Sequence, residues 1–256
     1  HSSFTELAYL SVEYAFVKKL TWEMAASYGF YQTYNHDIRN FDVQDHIFTL
    51  RGNGRGTLFD TPVFYGASYS YDYLLFDYKP LQQRHSFRPN LTFVEGDNNT
   101  TVLQYTVQRK QFYPEPVVSE DRRDAINHEV GLVHLLHDKE NKHHIKAGYF
   151  YDHEFAEGEN WDYRGHKLLA GFQYTFPWKL KLNADYGWKH VHYLHNNVFF
   201  GVMRKETEHS FNVALFKALT ENLTISIEWL YRNNDANLAL FDYSKNIYSI
   251  GATWRF

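Results

Sequence analysis

Hydrophobic and polar residues alternate one by one along most of this 256-residue chain. In the segment LTISIEWLYR, residues 223–232, every second side chain is Leu, Ile, Ile, Trp or Tyr, and those between are Thr, Ser, Glu, Leu and Arg. Segments 167–176, 179–189 and 246–256 repeat the pattern. Because successive side chains of a strand point to opposite faces, this period of two predicts β-strands with one apolar and one polar face.

The alternation predicts about thirteen strands and no long helix. Besides the four segments above, the predicted strands include 8–16, 22–30, 46–51, 63–73, 87–93, 102–110, 128–136 and 145–151. Many approach the roughly 9 to 11 residues that a tilted strand needs to cross a bilayer. No apolar run reaches the roughly 18 residues of a transmembrane helix. The chain is therefore predicted to be all-β.

The predicted connections alternate between short and long. Short turns are expected at 95–100, 138–144, 177–179 and 218–222, and longer loops at 33–45, 76–85, 112–127, 153–165, 195–209 and 233–246. Residues 51–62 are interpreted as a glycine-rich turn. Tight turns on one rim and long loops on the other are typical of a transmembrane antiparallel up-and-down β-barrel. Since such single-chain barrels usually have even strand numbers, we expect about 14 strands, about 13 of them in this chain and one preceding it.

Aromatic residues favour lipid, rather than a protein core, as the environment of the apolar rows. The chain has 21 Tyr, 21 Phe and 6 Trp at a mean hydropathy of only −0.55. Tyr and Trp suit the boundary between hydrocarbon and headgroups, because the ring is apolar and its polar tip needs water. The predicted aromatic girdle comprises Trp22, Tyr71, Tyr151, Trp188 and Trp229.

The opposite rows combine small residues with charges of both signs, which suits the wall of a water-containing lumen. The residues predicted to line it and set its selectivity are Arg88, Lys146, Lys181, Asp185, Glu228, Arg232 and Arg255. The net charge of −4 is spread over intermixed signs and gives no basic footprint for nucleic acid. The absence of cysteine excludes disulfides and Cys-ligated zinc.

The final segment NIYSIGATWRF carries an apolar row that ends on the last residue. This row resembles the C-terminal recognition signal of bacterial outer-membrane proteins, and it consists of Tyr248, Ile250, Ala252, Trp254 and Phe256. The resemblance implies recognition by the outer-membrane assembly machinery. It also implies that the protein resides in the bacterial outer membrane.

Four stretches carry a resemblance to a known family: YGASYSYDYLLFDYKPLQQRHSFRPNLTFVE, EDRRDAINHEVGLVHLL, GENWDYRGHKLLAGFQYTFPWKLKL and DANLALFDYSKNIYSIGATWRF. From Val63 onward the chain resembles the C-terminal barrels that follow periplasmic tetratricopeptide repeats in Gram-negative bacteria. Surface lipoprotein assembly modulators and polysaccharide-export barrels are examples. The resemblance implies an outer-membrane barrel, and it implies transport or secretion for some members.

Candidate chemistry beyond a lumen is weak. Fifteen histidines invite a metal interpretation, and His190 and His192 share one strand face, but no third converging ligand is evident. Ser210 follows His209, yet neighbouring strand residues face opposite ways, which argues against a nucleophile and base pair. We therefore predict no metal, no cofactor and no enzymatic activity.

The sequence predicts a single outer-membrane β-barrel domain, residues 1–256, that acts as a conduit for transport or secretion. A passive porin for small solutes is a close variant. The alternative is a structural anchor with a closed barrel that displays loops or tethers a periplasmic module. The expected partners are the lipid bilayer with its lipopolysaccharide, the assembly machinery, and a periplasmic repeat module or secreted cargo.

Overall fold

The computed structural model describes residues 4–37, 40–140 and 142–255. Thirteen β-strands account for most of them. In chain order they are β1 Thr5–Lys18, β2 Trp22–Asn35, β3 Val43–Leu58, β4 Thr61–Phe76, β5 Lys79–Glu95, β6 Asn99–Phe112, β7 Ala125–His137, β8 His144–Ala156, β9 Tyr163–Phe176, β10 Leu180–Asn196, β11 Met203–Ala218, β12 Leu223–Ala236 and β13 Tyr243–Trp254. Short 3₁₀ helices occur at Ser119–Asp121, Glu159–Trp161, Pro177–Lys179 and Ala239–Phe241.

The strands form one antiparallel sheet in which neighbours in sequence are neighbours in space. β1 and β13 are its edges, and the described residues of these two strands do not close the sheet. The predicted all-β, up-and-down antiparallel architecture and the thirteen strands are confirmed. A fourteenth strand stays a prediction. No helix within the described ranges is both long and apolar enough to span a bilayer.

The strands are longer than predicted, and several loops are correspondingly shorter. The prediction of a long loop at 76–85 is wrong, because only Asp77 and Tyr78 separate β4 from β5. Both have positive φ, 50° and 60°. This is the backbone of a two-residue turn whose twist matches that of the strands it joins. The strands continue beyond the alternating segments because backbone hydrogen bonding between neighbours does not require an apolar face.

The prediction of a glycine-rich turn at 51–62 is also wrong. β3 continues through the glycines to Leu58, and the turn is the pair Phe59 and Asp60, with φ of 49° and 60°. Gly54 pairs with Tyr65 of β4. A Cβ on Gly54 would lie 2.3 Å from the Tyr65 ring. The ring therefore covers a strand glycine that has no side chain to pack, as aromatic partners do for glycines in other sheets.

The described residues divide into two compact units. Unit 1 comprises those of 1–92, 104–129 and 153–162, and unit 2 those of 93–103, 130–152 and 163–255. Each unit contains complete hairpins, β1 to β4 in unit 1 and β9 to β13 in unit 2. The functional geometry is therefore described unit by unit.

The two faces of the strands differ in the way the sequence predicts. In β9, Leu168, Phe172 and Tyr174 are 44–47% exposed, whereas residues 169, 171 and 173 of the other face are half-buried. In β12, Ile227 is 58% exposed, and the neighbouring Glu228 is half-buried. Among the described residues, thirteen polar or charged side chains are buried against eight hydrophobic ones. The apolar rows thus face outward and the polar rows face inward, opposite to a soluble protein.

This sidedness predicts that arginine destabilises the protein strongly at one position and little at the adjacent one. Ile227→Arg places a charge on the apolar face and should lower the free energy of unfolding by about 2–4 kcal/mol if it lies near the bilayer midplane. Ser226→Arg, one residue earlier on the polar face, should change it by less than about 1 kcal/mol. Guanidinium unfolding of the two variants in phospholipid vesicles measures the difference. Equal losses would show that the assignment of the faces is incorrect.

Candidate functional site

The polar face of unit 1 begins with a charge cluster that joins its first three strands. Arg51 of β3 donates to Glu13 of β1 at 2.8 and 2.9 Å and to Glu23 of β2 at 2.8 Å. Ala25 of β2 lies beside Arg51 in register and is fully buried. Because alanine is small, the guanidinium reaches over β2 to a strand that is not its neighbour.

Two further ion pairs follow on the polar face of unit 1. Arg84 Nε donates to buried Asp72 at 2.6 Å. Lys110 Nζ of β6 donates to both carboxylate oxygens of Glu154 of β8, at 2.8 and 2.9 Å. The side chains of this second pair are only 18% and 9% exposed. The pair crosses β7, where Ala125 is buried. Arg51, Arg84 and Lys110 therefore each meet a carboxylate within the polar face of unit 1.

Unit 2 repeats the arrangement around β9. Lys146 of β8 and Asp185 of β10 form a 2.6 Å ion pair across the intervening strand. Between them lies Gly171 of β9, where a Cβ would approach Asp185 Oδ1 to 2.2 Å and Lys146 Cε to 2.6 Å. Any side chain at position 171 would therefore displace the pair. The glycine leaves the space in which the two charges meet.

A row of charges runs across β8 to β12 in unit 2. Lys167 Nζ lies 2.7 Å from Asp152, whose side chain is 2% exposed. Lys167 is directly opposite Lys189 on β10, and Lys189 is opposite Glu208 on β11. The two carboxylates thus flank two adjacent lysines, which offsets the repulsion of like charges in register. Glu208 also lies 3.6 Å from Arg232 of β12.

In unit 1, the two connections next to β7 and β8 are joined by an aromatic ring. The Trp161 indole N–H donates to Asp121 at 2.7 Å, and the Arg123 guanidinium lies 4.3 Å from the centre of the Trp161 ring. A hydrogen bond to Asp124 and the charge of Glu157 raise the pKa of Arg122. These contacts hold the longest connection, 113–124, against residues 157–162.

The same connection contains Glu120 at its 3₁₀ helix. Hydrogen bonds from its own backbone N–H and from the Ser119 hydroxyl lower the pKa of Glu120. Glu120 therefore keeps its negative charge to lower pH than an unperturbed glutamate.

In unit 2, an arginine ties the connection between β12 and β13 to the polar face. Arg204 is 2% exposed and lies between two rings, with its guanidinium carbon 3.6 Å from the Tyr193 centroid and 3.9 Å from the Phe241 centroid. Its Nε is 3.1 Å from Glu206. Asn234 donates to the Phe241 carbonyl at 2.7 Å and fixes the end of the connection. Cation–π contacts of this kind are strongest where water is excluded.

Most of the predicted lumen residues lie on the polar face. Strand pairing places Lys181, Asp185, Glu228 and Arg232 there, and Lys146 joins them through its ion pair. Arg88 donates to buried Thr106 at 3.3 Å on the polar face of unit 1. Arg255 follows β13, which ends at Trp254, and its backbone N–H donates to the Asn222 carbonyl at 2.9 Å. Its place in the lumen stays a prediction.

Sequence reasoning did not select several of the best-paired charges, notably Arg51, Lys110, Glu154, Asp152 and Lys167. The period of two places each of them on a polar row. It carries no information about which charge on another strand each one meets. One sequence signal could identify such an ion pair: a glycine or alanine on the strand between two opposite charges, as with Gly171.

The predicted girdle and assembly residues lie on the apolar face. Trp22 starts β2, and Tyr71, Tyr151, Trp188 and Trp229 lie within their strands. Tyr248, Ile250 and Trp254 are 64–84% exposed and pair with Trp229, Ile227 and Leu223, while Ala252 pairs with Ile225. Phe256 lies outside the described residues. A role of these residues as girdle or assembly signal stays a prediction.

The histidines do not form a metal centre in the described part of the chain, where no three His, Asp or Glu side chains converge. His209 and Ser210 face opposite ways. Ser210 is paired with Arg232 and Gly187, whereas the His209 ring hydrogen-bonds the Tyr186 hydroxyl.

Comparison with known proteins supports the fold rather than a family. No protein-family model matches the chain, and no curated protein matches it significantly. Among solved structures, OmpT, an outer membrane protein of Vibrio cholerae in a trimer form, matches with a TM-score of 0.51 at 9% identity over 99% of each chain. Omp33 of Acinetobacter baumannii gives 0.40 at 14% identity over 99% of each chain. OccD3 of Pseudomonas aeruginosa gives 0.44 at 9% identity, covering 96% of this chain and 74% of that one.

The prediction that the chain is not an enzyme is corrected by the OmpT comparison. At 9% identity the likeness to OmpT shows the fold alone. A shared fold does not determine whether a site for catalysis is present, so it supplies no ground for excluding activity.

The sheet topology, its outward apolar face and the likeness to OmpT together identify the architecture. The chain has the up-and-down antiparallel fold of a transmembrane β-barrel, which it shares with OmpT of Vibrio cholerae. The resemblance to barrels that follow tetratricopeptide repeats is not confirmed by any family match.

The ion pairs should differ in their contribution to stability according to burial. Lys110→Met leaves the buried Glu154 carboxylate without its partner and should lower the free energy of unfolding by about 3 kcal/mol. Lys110→Met combined with Glu154→Gln should recover most of that loss, because no buried charge remains. Lys146→Met, from a pair that is 32% and 37% exposed, should cost about 1 kcal/mol or less.

Chemical unfolding of the three variants in vesicles measures these differences. A double variant as unstable as Lys110→Met would show that the loss comes from packing of the lysine stem and not from the unpaired carboxylate.

Proposed function

We propose that the protein is a conduit for small polar solutes or ions across the outer membrane. The observation that carries the proposal is the polar face, on which charges of both signs are paired within each unit. A membrane barrel has no reason to keep such a face unless water reaches it, since desolvated ion pairs are costly compared with an apolar filling. Polar and charged linings of this kind accompany water-filled barrels.

Cations without a carboxylate partner would set the selectivity. Arg88 donates to a threonine, and no ion pair involves Lys181 among the described residues. A paired charge presents little net potential to a passing ion, whereas an isolated lysine attracts anions and repels cations. Lys181 and Arg88 therefore favour a modest preference for anions.

Secretion through a barrel that carries a periplasmic repeat module is a more specific form of this proposal. Its support is the sequence resemblance from Val63 onward. The ion pairs give no preference for a polymer over a small solute. We therefore propose small solutes as the first substrate class to test.

The purified protein should give discrete, ion-selective conductance steps in planar lipid bilayers. Lys181→Gln should move the reversal potential in a salt gradient toward cation preference, because it removes an isolated positive charge from the polar face. Arg164→Gln is the matched control, since Arg164 is exposed on the apolar side of β9. It should leave the reversal potential unchanged.

Silence of a correctly folded protein would overturn the conduit and leave the structural anchor as the function. A shift of equal size in both variants would show that the potential at the rim, and not in the lumen, determines selectivity.

We also propose that the apolar row of the last strand is read during membrane assembly. Deleting Phe256 should slow insertion in the presence of the assembly machinery more than it slows folding of purified chain into vesicles, because the row supplies recognition more than packing. Ala252→Ser is a control that keeps the aromatic ends. Parallel insertion and vesicle-folding kinetics measure the effect, and an equal slowing in both would overturn the recognition role.

A further inference from the structure

Tyrosine and histidine form a repeated hydrogen-bonded pair on the apolar face. In unit 1 the hydroxyls of Tyr28, Tyr69 and Tyr105 contact Nδ1 of His46, His85 and His128 at 2.5–2.8 Å. In unit 2 those of Tyr149 and Tyr186 contact Nδ1 of His166 and His209 at 2.7 and 2.8 Å. Each pair joins an even-numbered strand to the next odd-numbered one. A sixth hairpin, β12 and β13, has Trp229 Nε1 donating to Asn246 at 3.1 Å instead.

The pairs share one geometry. Tyr28 is directly opposite Phe48, and its partner His46 lies two residues away on the same face. Tyr186 is opposite Phe211 with His209 two residues away, and Trp229 is opposite Tyr248 with Asn246 two residues away. A tyrosine reaches diagonally to the next residue of the facing row. The repetition excludes a chance contact of one hairpin.

The pairs mark where the apolar face becomes polar. Two residues after each histidine on the same face lie Phe48, Phe87, Val130, Leu168 and Phe211, which are 42–54% exposed. Two residues before each histidine lie Gln44, Gln83, Ile126, Arg164 and Thr207. With the exception of Ile126, the outward row therefore changes from hydrophobic to hydrogen-bonding at the histidine. In a membrane protein this change marks the boundary between hydrocarbon and headgroups.

Each pair leaves one histidine nitrogen for a partner outside the chain. A phenol hydroxyl is a good donor, so the neutral histidine accepts at Nδ1 and carries its proton on Nε2. A protonated histidine also presents Nε2–H. No described residue is hydrogen-bonded to Nε2 of these five rings. The sheet thus offers a row of N–H donors directed away from the tyrosines.

We propose that the five Tyr–His pairs bind the phosphate groups of membrane lipids. The pairs lie at the boundary between hydrocarbon and headgroups, which is the depth of the lipid phosphates. The charge complements an anion, because exposed Arg109 and Arg164 lie on the same face just beyond the pairs in units 1 and 2. Charge-assisted hydrogen bonds from histidine and arginine to phosphate are short and strong. The tyrosine fixes the ring so that the donor is already oriented.

The proposal is tested by measuring whether lipid phosphorus lies next to Nε2. Full-length protein with ¹⁵N-labelled histidine in phosphatidylglycerol bilayers should show ³¹P dephasing of the Nε2 signals of five histidines by solid-state NMR. Each single His→Phe change at 46, 85, 128, 166 or 209 should remove one of these signals. His134→Phe is the matched control, because His134 is six residues along the same strand from His128, about 20 Å away.

Tyr69→Phe tests whether phosphate binding needs the His85 ring to be oriented by the tyrosine or needs only the histidine itself. It removes only the hydroxyl that fixes the His85 ring, and the dephasing at His85 should fall while the other four signals remain. An unchanged His85 signal would overturn the role of the pair. Absence of dephasing at all five rings in a folded protein, or equal dephasing at His134, would overturn the lipid site itself.

The source of the phosphate is tested in detergent micelles without phospholipid. Inorganic phosphate should give no dephasing there, because the boundary that concentrates lipid headgroups is missing. Dephasing by free phosphate in micelles would overturn the assignment to lipid. Single substitutions on the surface of the sheet leave the strand pairing intact, so each variant can be compared in the folded state.

Discussion

The structure depends on the constraint that successive side chains of a strand point to opposite sides. With lipid on one side, the ion-paired residues of the strands lie on the other side, where charges meet each other, whereas Arg109 and Arg164 lie on the lipid side at its boundary with the headgroups. The ion pairs of Arg51, Lys110 and Lys146 follow from this confinement. Their carboxylates lie on strands two positions away as well as on adjacent strands. The polar face is thus organised by charge pairing, as a soluble core is organised by apolar packing.

Small residues on the intervening strands make these longer contacts possible. Gly171 lies beneath Lys146 and Asp185, and buried Ala25 lies beneath Arg51 and its partner on β1. Glycine within a strand costs conformational entropy and leaves a gap in side-chain packing. Here the gap is filled by the two charged side chains that cross it. On the other face, the ring of Tyr65 fills the corresponding gap over Gly54.

The faces of the strands could be predicted from the sequence, whereas their ends and partners could not. The alternation predicts that Ile227 and Glu228 lie on opposite faces, because alternation is a local property. The pattern does not predict the turn at Asp77 and Tyr78, because Tyr78 follows Asp77 where a glycine is usual, and the two strands that it joins impose the positive φ. The contact of Lys146 with Asp185 depends on the registers of three strands at once, and no single segment encodes it.

The Tyr–His pairs show how composition can suggest the wrong chemistry. Fifteen histidines favour a metal site when they are counted, yet five of them are separated by whole hairpins and each is bound to its own tyrosine. A buried or lipid-facing tyrosine needs an acceptor for its hydroxyl. Histidine supplies this acceptor at Nδ1 and still has an N–H donor at Nε2. Serine or glutamine at the same position would hold its donor group less rigidly. In β12 and β13, where Trp229 supplies an N–H, Asn246 is a sufficient acceptor and no histidine is required. The identity of the odd-strand residue therefore follows from what the even-strand ring donates.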